Sequence, residues 1–340
     1  MSEVLLRPYE PAAAAHVVAL WNRAIGGVFP LREAVLRQCL EDNPSARPED
    51  AALAWERDRL VAFGYLGLHR MPDLETAAFR DRAQLQAVVV HPARRRRGLG
   101  RLIATQLAQR ARAHGHERLE AGGGMFYLWP GVPADLPGAV GFAQAIGFEL
   151  GKPSYDLRGD VSGLTIDAET TQALDAAGLR VRPAAVGDRA AALAFLFAEF
   201  GGEWWHETRW FLDAGGDPAE LLLLEDRAQR IVGLARIHGP ATRPIGPPHF
   251  WAARRPPAAG GLGPIGIAAA LRGRGLGRAL LVVALDALRQ RGLSDVVIDF
   301  TSLLGYYGPH GFRPWISYRR ASAPVSRLLG SAGPEGEGPR

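Results

Sequence analysis

The chain contains one sequence pattern twice, and this repeat constrains its fold more than any other feature. The segment Arg95–Arg101 reads Arg-Arg-Arg-Gly-Leu-Gly-Arg, and a closely similar segment, Arg-Gly-Arg-Gly-Leu-Gly-Arg, follows at Arg272–Arg278. A Gly-Phe pair comes later in each half, beginning at Gly147 and at Gly311. Because these landmarks keep the same order, the sequence predicts two homologous domains in tandem.

The repeat also sets the expected domain boundaries. We expect domains at 1–158 and 176–322, joined by a linker at 159–175 that contains a short helix. The tail 323–340 is rich in Gly, Pro, Ser and Glu, a composition typical of disorder. The first half carries an extra stretch, Gly122–Pro133, between its glycine loop and its Gly-Phe pair. Its aromatic residues Phe126, Tyr127 and Trp129 form either a pocket wall or part of the core.

Composition and charge exclude several classes of function. Hydrophobic residues make up 47% and charged residues 22% of the 340 residues, as in ordinary globular proteins. The formal net charge of +5 is small for a nucleic-acid-binding protein of this length, so we expect no nucleic-acid partner. The sequence shows no signal peptide and no apolar run of about 20 residues, so we expect no membrane partner. A single cysteine, Cys39, fits a reducing compartment and a cytoplasmic protein.

Each glycine loop lies between an apolar strand and an amphipathic helix, a position suited to binding phosphate. The first turn of a helix has unpaired backbone N–H groups and a partial positive charge. Glycines at alternate positions let several N–H groups point at one anion, and neighbouring arginines add bidentate contacts. The spacing is neither that of a Walker loop nor that of a dinucleotide fingerprint. The pattern therefore indicates two pyrophosphate sites, although a tight strand-to-helix turn alone would need the same glycines.

These residues resemble the GNAT superfamily of acyl-CoA-dependent N-acyltransferases. The resemblance rests on Arg-x-x-Gly-x-Gly after an apolar strand and on a later Tyr-x-x-x-Gly-Phe, and it covers nearly the whole chain. The tandem arrangement is similar to tandem GNAT proteins of the mycothiol synthase type. The resemblance implies an α+β fold. Each domain would contain a mostly antiparallel twisted sheet flanked by helices, with two central strands that splay apart into a V-shaped cleft.

The resemblance also implies acetyl-CoA as the acyl donor and no metal. Its pyrophosphate would lie on the loop amides, and its pantetheine arm would pair with the preceding strand. In the second domain the matching positions are Ile265, Ile267, Arg272, Gly273, Arg274, Gly275, Leu276, Gly277 and Arg278. In the first domain they are Val88, Val90, Arg95, Arg96, Arg97, Gly98, Leu99, Gly100 and Arg101.

Only the second half carries a residue that matches the family's general acid. That acid is often a tyrosine four residues before the glycine of the late Gly-Phe pair. The matching residue is Tyr307 in the second half and Ala143 in the first half, and alanine cannot donate a proton. Asp299, on an apolar strand, is a candidate general base if it is buried; the alternative is that it faces solvent or caps a neighbour. Glu120 is its expected analogue in the first half.

The expected function is therefore transfer of an acetyl group to a primary amine of a small molecule, in a ternary complex in the second domain. The expected first domain is non-catalytic. The alternative is a non-catalytic CoA sensor or scaffold that retains both loops. Aromatic residues on one helix of the second domain line either its core or the acceptor pocket: Trp204, Trp205, Trp210 and Phe211. Two linked copies predict a monomer with a pseudo-dimeric arrangement, or a homodimer.

Overall fold

The computed structural model describes residues 3–70 and 82–330. These residues form two compact units. Within these described ranges, the first unit contains the residues up to Ser154 and those from Tyr318 to Gly330, and the second contains Tyr155–Ser317. Each unit contains parallel and antiparallel strand pairs together with helices, which confirms the expected fold class.

The first unit begins with a strand, two helices and a hairpin. Its elements are β1 (Val4–Arg7), α1 (Ala14–Ile25), α2 (Glu33–Leu40), β2 (Ala51–Glu56), β3 (Arg59–Leu68), β4 (Ala83–Val90), α3 (Leu99–Ala113), β5 (Arg118–Ala121), β6 (Val132–Pro133), α4 (Ala139–Ala145) and the first half of β7 (Glu149–Asp160). Strand pairing is antiparallel except between β4 and β5, which run parallel. The α3 helix packs its apolar face on this sheet, with Ile103 and Leu107 fully buried.

The second unit repeats this order. Its elements are α5 (Ala168–Ala177), β8 (Arg180–Pro183), α6 (Arg189–Phe200), α7 (Gly202–Asp213), β9 (Leu221–Glu225), β10 (Ile231–His238), β11 (Ala259–Ile267), α8 (Leu276–Gln290), β12 (Asp295–Thr301), α9 (Leu304–Tyr307), β13 (Arg313–Pro324) and α10 (Val325–Leu329), of which β13 continues into the first unit. Again only one pair is parallel, β11 with β12.

The boundaries of the units fall inside the two long strands β7 and β13. The end of β7 pairs with β12 in the second unit, where Val296 lies opposite Gly159. The end of β13 pairs with β5 in the first unit, where Ser322 lies opposite Glu120. The compact units therefore do not follow the linear limits 1–158 and 176–322. The linker helix is present as α5.

The expectation of disorder from residue 323 fails for residues 323–330. Val325 and Leu328 lie on one face of α10 and are buried in the core of the first unit. The Thr105 hydroxyl donates a hydrogen bond of 3.1 Å to the Leu328 carbonyl. Apolar spacing in this short segment outweighs its Gly- and Pro-rich surroundings. Residues 331–340 lie outside the described part of the chain.

Two general findings concern the described residues alone. In residues 3–70 and 82–330 no helix has the length and apolarity needed to cross a membrane. The same residues contain no group of three or more His, Cys, Asp and Glu side chains placed to hold a metal ion.

Leu328→Ala should destabilise the first unit, because Leu328 is 3% exposed in that unit's core. Removing a buried leucine side chain costs about 3 kcal/mol of unfolding free energy. Hydrogen exchange should show lost protection in α3 and little change in α8. Leu288→Ala, in the core of the second unit, is the matched control and should give the reverse pattern. Unchanged protection of α3 in the Leu328 variant would contradict the assignment of α10 to the first unit.

Candidate functional site

Both glycine loops make the turn that an anion site needs. Gly98 and Gly275 precede α3 and α8 with left-handed φ angles of 84° and 75°. Gly273 is also left-handed, with φ 74°, and the equivalent residue in the first unit is Arg96, with φ 61°. A non-glycine residue in this region is strained, so the first loop keeps the conformation of the second at an energetic cost.

The last arginine of each loop contacts protein groups of its own unit. Arg101 donates a hydrogen bond of 2.7 Å to the carbonyl of Ala145. Arg278 forms ion pairs with Asp167 at 2.5 Å and with Glu169 at 3.4 Å, at the start of α5. These contacts hold α4 and α5 against the helices that follow the loops. They give both arginines a structural role where the family resemblance implied a phosphate contact.

The first arginine of each loop is also oriented by protein groups. Arg95 donates a hydrogen bond of 2.9 Å to the carbonyl of Ala24 at the end of α1. The Arg272 guanidinium lies 5.9 Å from the centroid of the Phe200 ring. The remaining loop arginines are exposed to solvent: Arg96, Arg97 and Arg274.

The parallel strands of the second unit separate partway along their length. Their last paired residues are Leu262 on β11 and Ile298 on β12. β11 continues through Ile265 and Ile267, so its edge on this side is no longer paired with β12. Its register with β10 also shifts here, opposite Arg236. The splayed strand pair that the family resemblance implied is therefore present, and we call this opening the second-unit gap.

Asp299 is the first residue of β12 beyond the last pair, and its side chain turns into the second-unit gap. A Cβ atom at position 263 would lie 2.8 Å from the Asp299 Oδ1 atom and would displace this carboxylate, and the φ angle of 154° at this position also favours glycine. The next residue, Phe300, has φ 43°, and its N–H donates to the Asp156 carboxylate at 3.1 Å. On β10, His238 Nε2 lies 2.7 Å from the carbonyl oxygen of Gly263. Since a carbonyl only accepts, Nε2 carries the proton.

Tyr307 lies near the same gap but packs with the α8 side of the sheet. Its side chain is 5% exposed and shares a core cluster with Ile298 and Phe312. Burial raises the pKa of its hydroxyl, and the nearby Tyr306 and Asp299 raise it further. No protein group in the described residues forms a hydrogen bond with this hydroxyl. Tyr307 therefore stays protonated at neutral pH and keeps its proton available.

Tyr306 is a site residue that sequence reasoning missed. Its hydroxyl lies 3.4 Å from the place a Cβ atom would take at Gly277, in the first turn of α8. Burial raises its pKa to about 12. In the first unit Phe142 occupies the equivalent place beside Gly100 and has no hydroxyl. Comparing the two halves at the position before Tyr307 would have revealed this difference.

The chain itself fills the corresponding gap in the first unit. β4 and β5 pair as far as Leu85 and Ala121, and the next residue, Gly122, still donates to the Leu85 carbonyl at 3.0 Å. The Gln86 side-chain amide donates to the carbonyl of Gly123 at 2.9 Å and accepts from the N–H of Leu128 at 3.2 Å. Beyond these contacts, β4 continues with the half-buried Val88 and Val90.

The aromatic residues of the extra stretch belong mostly to the core. Trp129 is buried, with ring centroids 5.1 Å from Trp21 and 5.4 Å from Phe29. Tyr127 is buried as well, and Phe126 is half-buried. Phe126 also lines a small cavity with Tyr65 and Gln86. The stretch up to Leu128 lies beside β4 at the first-unit gap.

The aromatic side chains of α7 lie partly in the core of the second unit and partly beside β11. Phe211 is fully buried. Trp204 is half-buried and packs with Phe200, their ring centroids 4.5 Å apart. A side chain at Gly266 on β11 would lie within 3.0 Å of both rings. Trp205 and Trp210 are also half-buried.

Glu120 is not the counterpart of Asp299. It pairs with Gln84 before the end of the parallel pairing in the first unit, whereas Asp299 follows the end of that pairing in the second unit. The residue that follows the last pair in the first unit is Gly122, which has no side chain. Because strand facing depends on register, the sequence alone did not distinguish these positions.

Both halves of the chain match one protein family. The model of the acetyltransferase (GNAT) family matches residues 19–148 and 190–312. These ranges contain both glycine loops, both parallel strand pairs and Tyr307. The chain therefore belongs to the GNAT acetyltransferase family, with two copies in tandem, and it is an N-acetyltransferase.

Relatives and solved structures agree with this assignment. The chain is 29% identical to a mycothiol acetyltransferase of Geodermatophilus obscurus over 331 residues, 92% of this chain and 96% of that protein. It is 30% identical to one of Thermomonospora curvata over 249 residues, 70% of this chain and 69% of that protein. A tandem GNAT protein of the clavulanic acid pathway shares the fold, with TM-score 0.65 and 18% identity, over 97% of this chain and all of that one.

Gly263→Ala should reduce acetyl transfer more than tenfold, because the new methyl group would displace the Asp299 carboxylate. Adding Asp299→Ala should relieve the collision. The double variant should therefore be closer to the Asp299 single variant in unfolding free energy than additivity predicts. Steady-state rates and denaturant unfolding measure the two effects. Additive losses of unfolding free energy would show that a side chain at position 263 does not contact Asp299.

Arg96→Gly should raise the unfolding free energy by up to about 1 kcal/mol. Glycine removes the strain of the left-handed conformation, and this gain exceeds its larger unfolded-state entropy. Arg97→Gly, at an exposed position with no left-handed φ, is the matched control and should be destabilising or neutral. Equal effects of the two variants in denaturant unfolding would argue against strain at Arg96.

Proposed function

We propose that the protein transfers an acetyl group from acetyl-CoA to a primary amine of a small molecule, and that the second unit carries out the chemistry. The observation that carries this proposal is the second-unit gap, with Asp299 and Tyr307 beside it. The first unit has the same strands, but its gap is filled by Gly122–Leu128 and it has Ala143 in place of Tyr307.

The loop of the second unit supplies the binding groups for the donor. The first turn of α8 presents the backbone N–H groups of Gly275, Leu276 and Gly277, and a diphosphate is a suitable ligand for them. Gly273 and the exposed Arg274 flank this turn. The unpaired edge of β11 at Ile265 and Ile267 suits the amide groups of a pantetheine arm. Arg272 and Arg278 hold the loop in place through Phe200 and α5.

The first unit retains the same binding groups in its loop. Gly98, Leu99 and Gly100 open α3 as their counterparts open α8, with the exposed Arg96 and Arg97 beside them. Arg95 and Arg101 fix the loop to α1 and α4. We propose that this loop binds a second CoA molecule along Val88 and Val90 without catalysing transfer.

In the proposed reaction, the neutral amine nitrogen attacks the thioester carbonyl carbon. A C–N bond forms and the C–S bond breaks after a tetrahedral oxyanion, which backbone N–H groups stabilise. The departing thiolate takes the phenolic proton of Tyr307, and the amide nitrogen releases its surplus proton to the Asp299 carboxylate. Solvent returns both side chains to their starting states. The raised pKa of Tyr307 keeps its acid form present throughout the physiological pH range.

The relatives support a small-molecule acceptor, since those that match over most of the chain are mycothiol acetyltransferases. A second candidate function is a CoA-binding sensor without transfer, which the loops alone would support. The presence of both Tyr307 and Asp299 at an unfilled gap favours the enzyme. An assay of thiol release from acetyl-CoA with a panel of amines distinguishes the two functions.

Tyr307→Phe should lower kcat by about 100-fold and leave the Kd of CoA unchanged, since only proton transfer to the thiolate is lost. Because its pKa is raised, Tyr307 should cause no loss of wild-type kcat between about pH 7 and about pH 9. Ala143→Tyr on the Tyr307→Phe background is the matched control. It should restore nothing, because the first-unit gap is filled. An unchanged kcat in the Tyr307 variant would exclude the acid role.

A further inference from the structure

Within the described part of the chain, one buried arginine of the second unit forms no ion pair. Arg236 lies on β10 opposite the register shift of β11, and it is only 6% exposed. Its guanidinium lies 3.7 Å from the centroid of the Phe211 ring, and its Nε–H has no hydrogen-bond partner among the described protein groups. No carboxylate of these residues forms an ion pair with it. Buried charges are normally paired, so this arrangement requires an explanation.

The carboxylate of Glu220 acts electrostatically on this arginine, and one of its oxygen atoms also lacks a hydrogen-bond partner among the described residues. Glu220 Oε1 accepts a hydrogen bond of 2.6 Å from the Thr242 hydroxyl, which in turn accepts from the N–H of Gly239 at 2.8 Å. Glu220 Oε2 is enclosed and has no protein partner. Glu220 is the carboxylate whose charge acts most strongly on Arg236. A hydroxyl group can accept from the Arg236 Nε–H and donate to Glu220 Oε2.

The same surroundings contain more carboxyl groups than cationic groups. Besides Glu220, the carboxylates of Glu207 on α7 and Asp299 on β12 act electrostatically on Arg236. Burial and the carboxylates of Glu203 and Asp299 raise the pKa of Glu207 well above its usual value, while burial and Arg236 hold the pKa of His238 well below its usual value. His238 is therefore neutral at pH 7. A cationic ligand would favour the ionised form of these carboxyl groups, whereas an anionic ligand would oppose it.

The geometry points to Arg236 and Glu220 as part of the acceptor site, and to a small cationic amine with a hydroxyl group and no carboxylate as the acceptor. This inference rests on the proposed function. The hydroxyl bridges the Arg236 Nε–H and Glu220 Oε2, and the carboxylates of Glu207 and Asp299 attract the ammonium group before it loses its proton. The groups that would bind the hydroxyl and those that would attract the ammonium both lie on the α7 side of the strands, whereas Tyr307 packs on the α8 side.

Three amines of matched skeleton test the inference with the wild-type full chain. They are isopropylamine, 2-amino-1,3-propanediol and serine, each assayed for thiol release from acetyl-CoA. With kcat/KM expressed per neutral amine, since the hydroxyl groups lower the basicity of the diol, we expect the value for the diol to exceed that for isopropylamine by about tenfold or more, and serine to be the poorest acceptor. Equal rates for the diol and isopropylamine, or a preference for serine, would overturn the inference while leaving acetyl transfer intact. Transfer to none of these and to no amine of a broad panel would instead refute the proposed function.

Variants separate hydroxyl recognition from folding and from catalysis. Glu220→Gln and Arg236→Gln should each bring the diol-to-isopropylamine ratio of kcat/KM close to one and leave the Kd of CoA unchanged. Arg236→Lys keeps a donor and should retain part of the ratio. If the Arg236 variants do not fold, as judged by Tm, Glu220→Gln decides the outcome. Arg230→Gln, at an exposed ion pair with Asp226, is the control and should change neither rate.

Charge recognition has its own test. Glu207 is half-buried, so Glu207→Gln should fold, and it should raise kcat/KM for serine relative to the diol by about tenfold. The matched control is Glu225→Gln, a carboxylate paired with Arg182 away from the gap, which should not change this ratio. No change of the ratio in the Glu207 variant would show that its charge does not select the acceptor.

Discussion

The separation of β11 from β12 is the constraint on which the second unit's site depends. Both strands become irregular just beyond Leu262 and Ile298, and this keeps them apart. On β12, Phe300 takes a left-handed conformation that a hydrogen bond to Asp156 holds. On β11, glycine at 263 leaves room for Asp299. Unpaired backbone groups inside a sheet are costly, so the gap suits a ligand that has amide groups of its own.

The two units show how one fold supports two outcomes at this point. In the first unit the chain after β5 stays beside β4, and Gln86 binds the returning segment on both sides through Gly123 and Leu128. The Gln86 side chain is then satisfied by backbone groups of this segment. In the second unit, β12 continues directly to α9, and no segment of this kind follows it. The two units therefore keep one fold and differ in the gap and its side chains, which is where the proposed function places the chemistry.

Sequence patterns were sufficient for local structure and for the repeat. The glycine loops, the helices α3 and α8 and the position of Tyr307 follow from short-range spacing. The pairing of the end of β7 with β12 and of the end of β13 with β5 could not be predicted, because strand pairing between distant segments leaves no local pattern. The partners of Arg101 and Arg278 were missed for the same reason. Residues such as Arg236 resemble ordinary strand residues until the register is known.

The residues of the second-unit site that were hardest to foresee are those that reduce stability. A buried guanidinium without an ion pair and half-buried carboxylates close together each oppose folding. Such departures from local consistency are expected where binding or catalysis requires them. The sheet also separates the two kinds of chemistry, with Asp299 and Arg236 towards α7 and Tyr307 towards α8. In the proposed reaction, the amine gives its proton to Asp299 on one face of the strands, and the thiolate takes its proton from Tyr307 on the other face. Neither proton transfer therefore neutralises the group needed for the other.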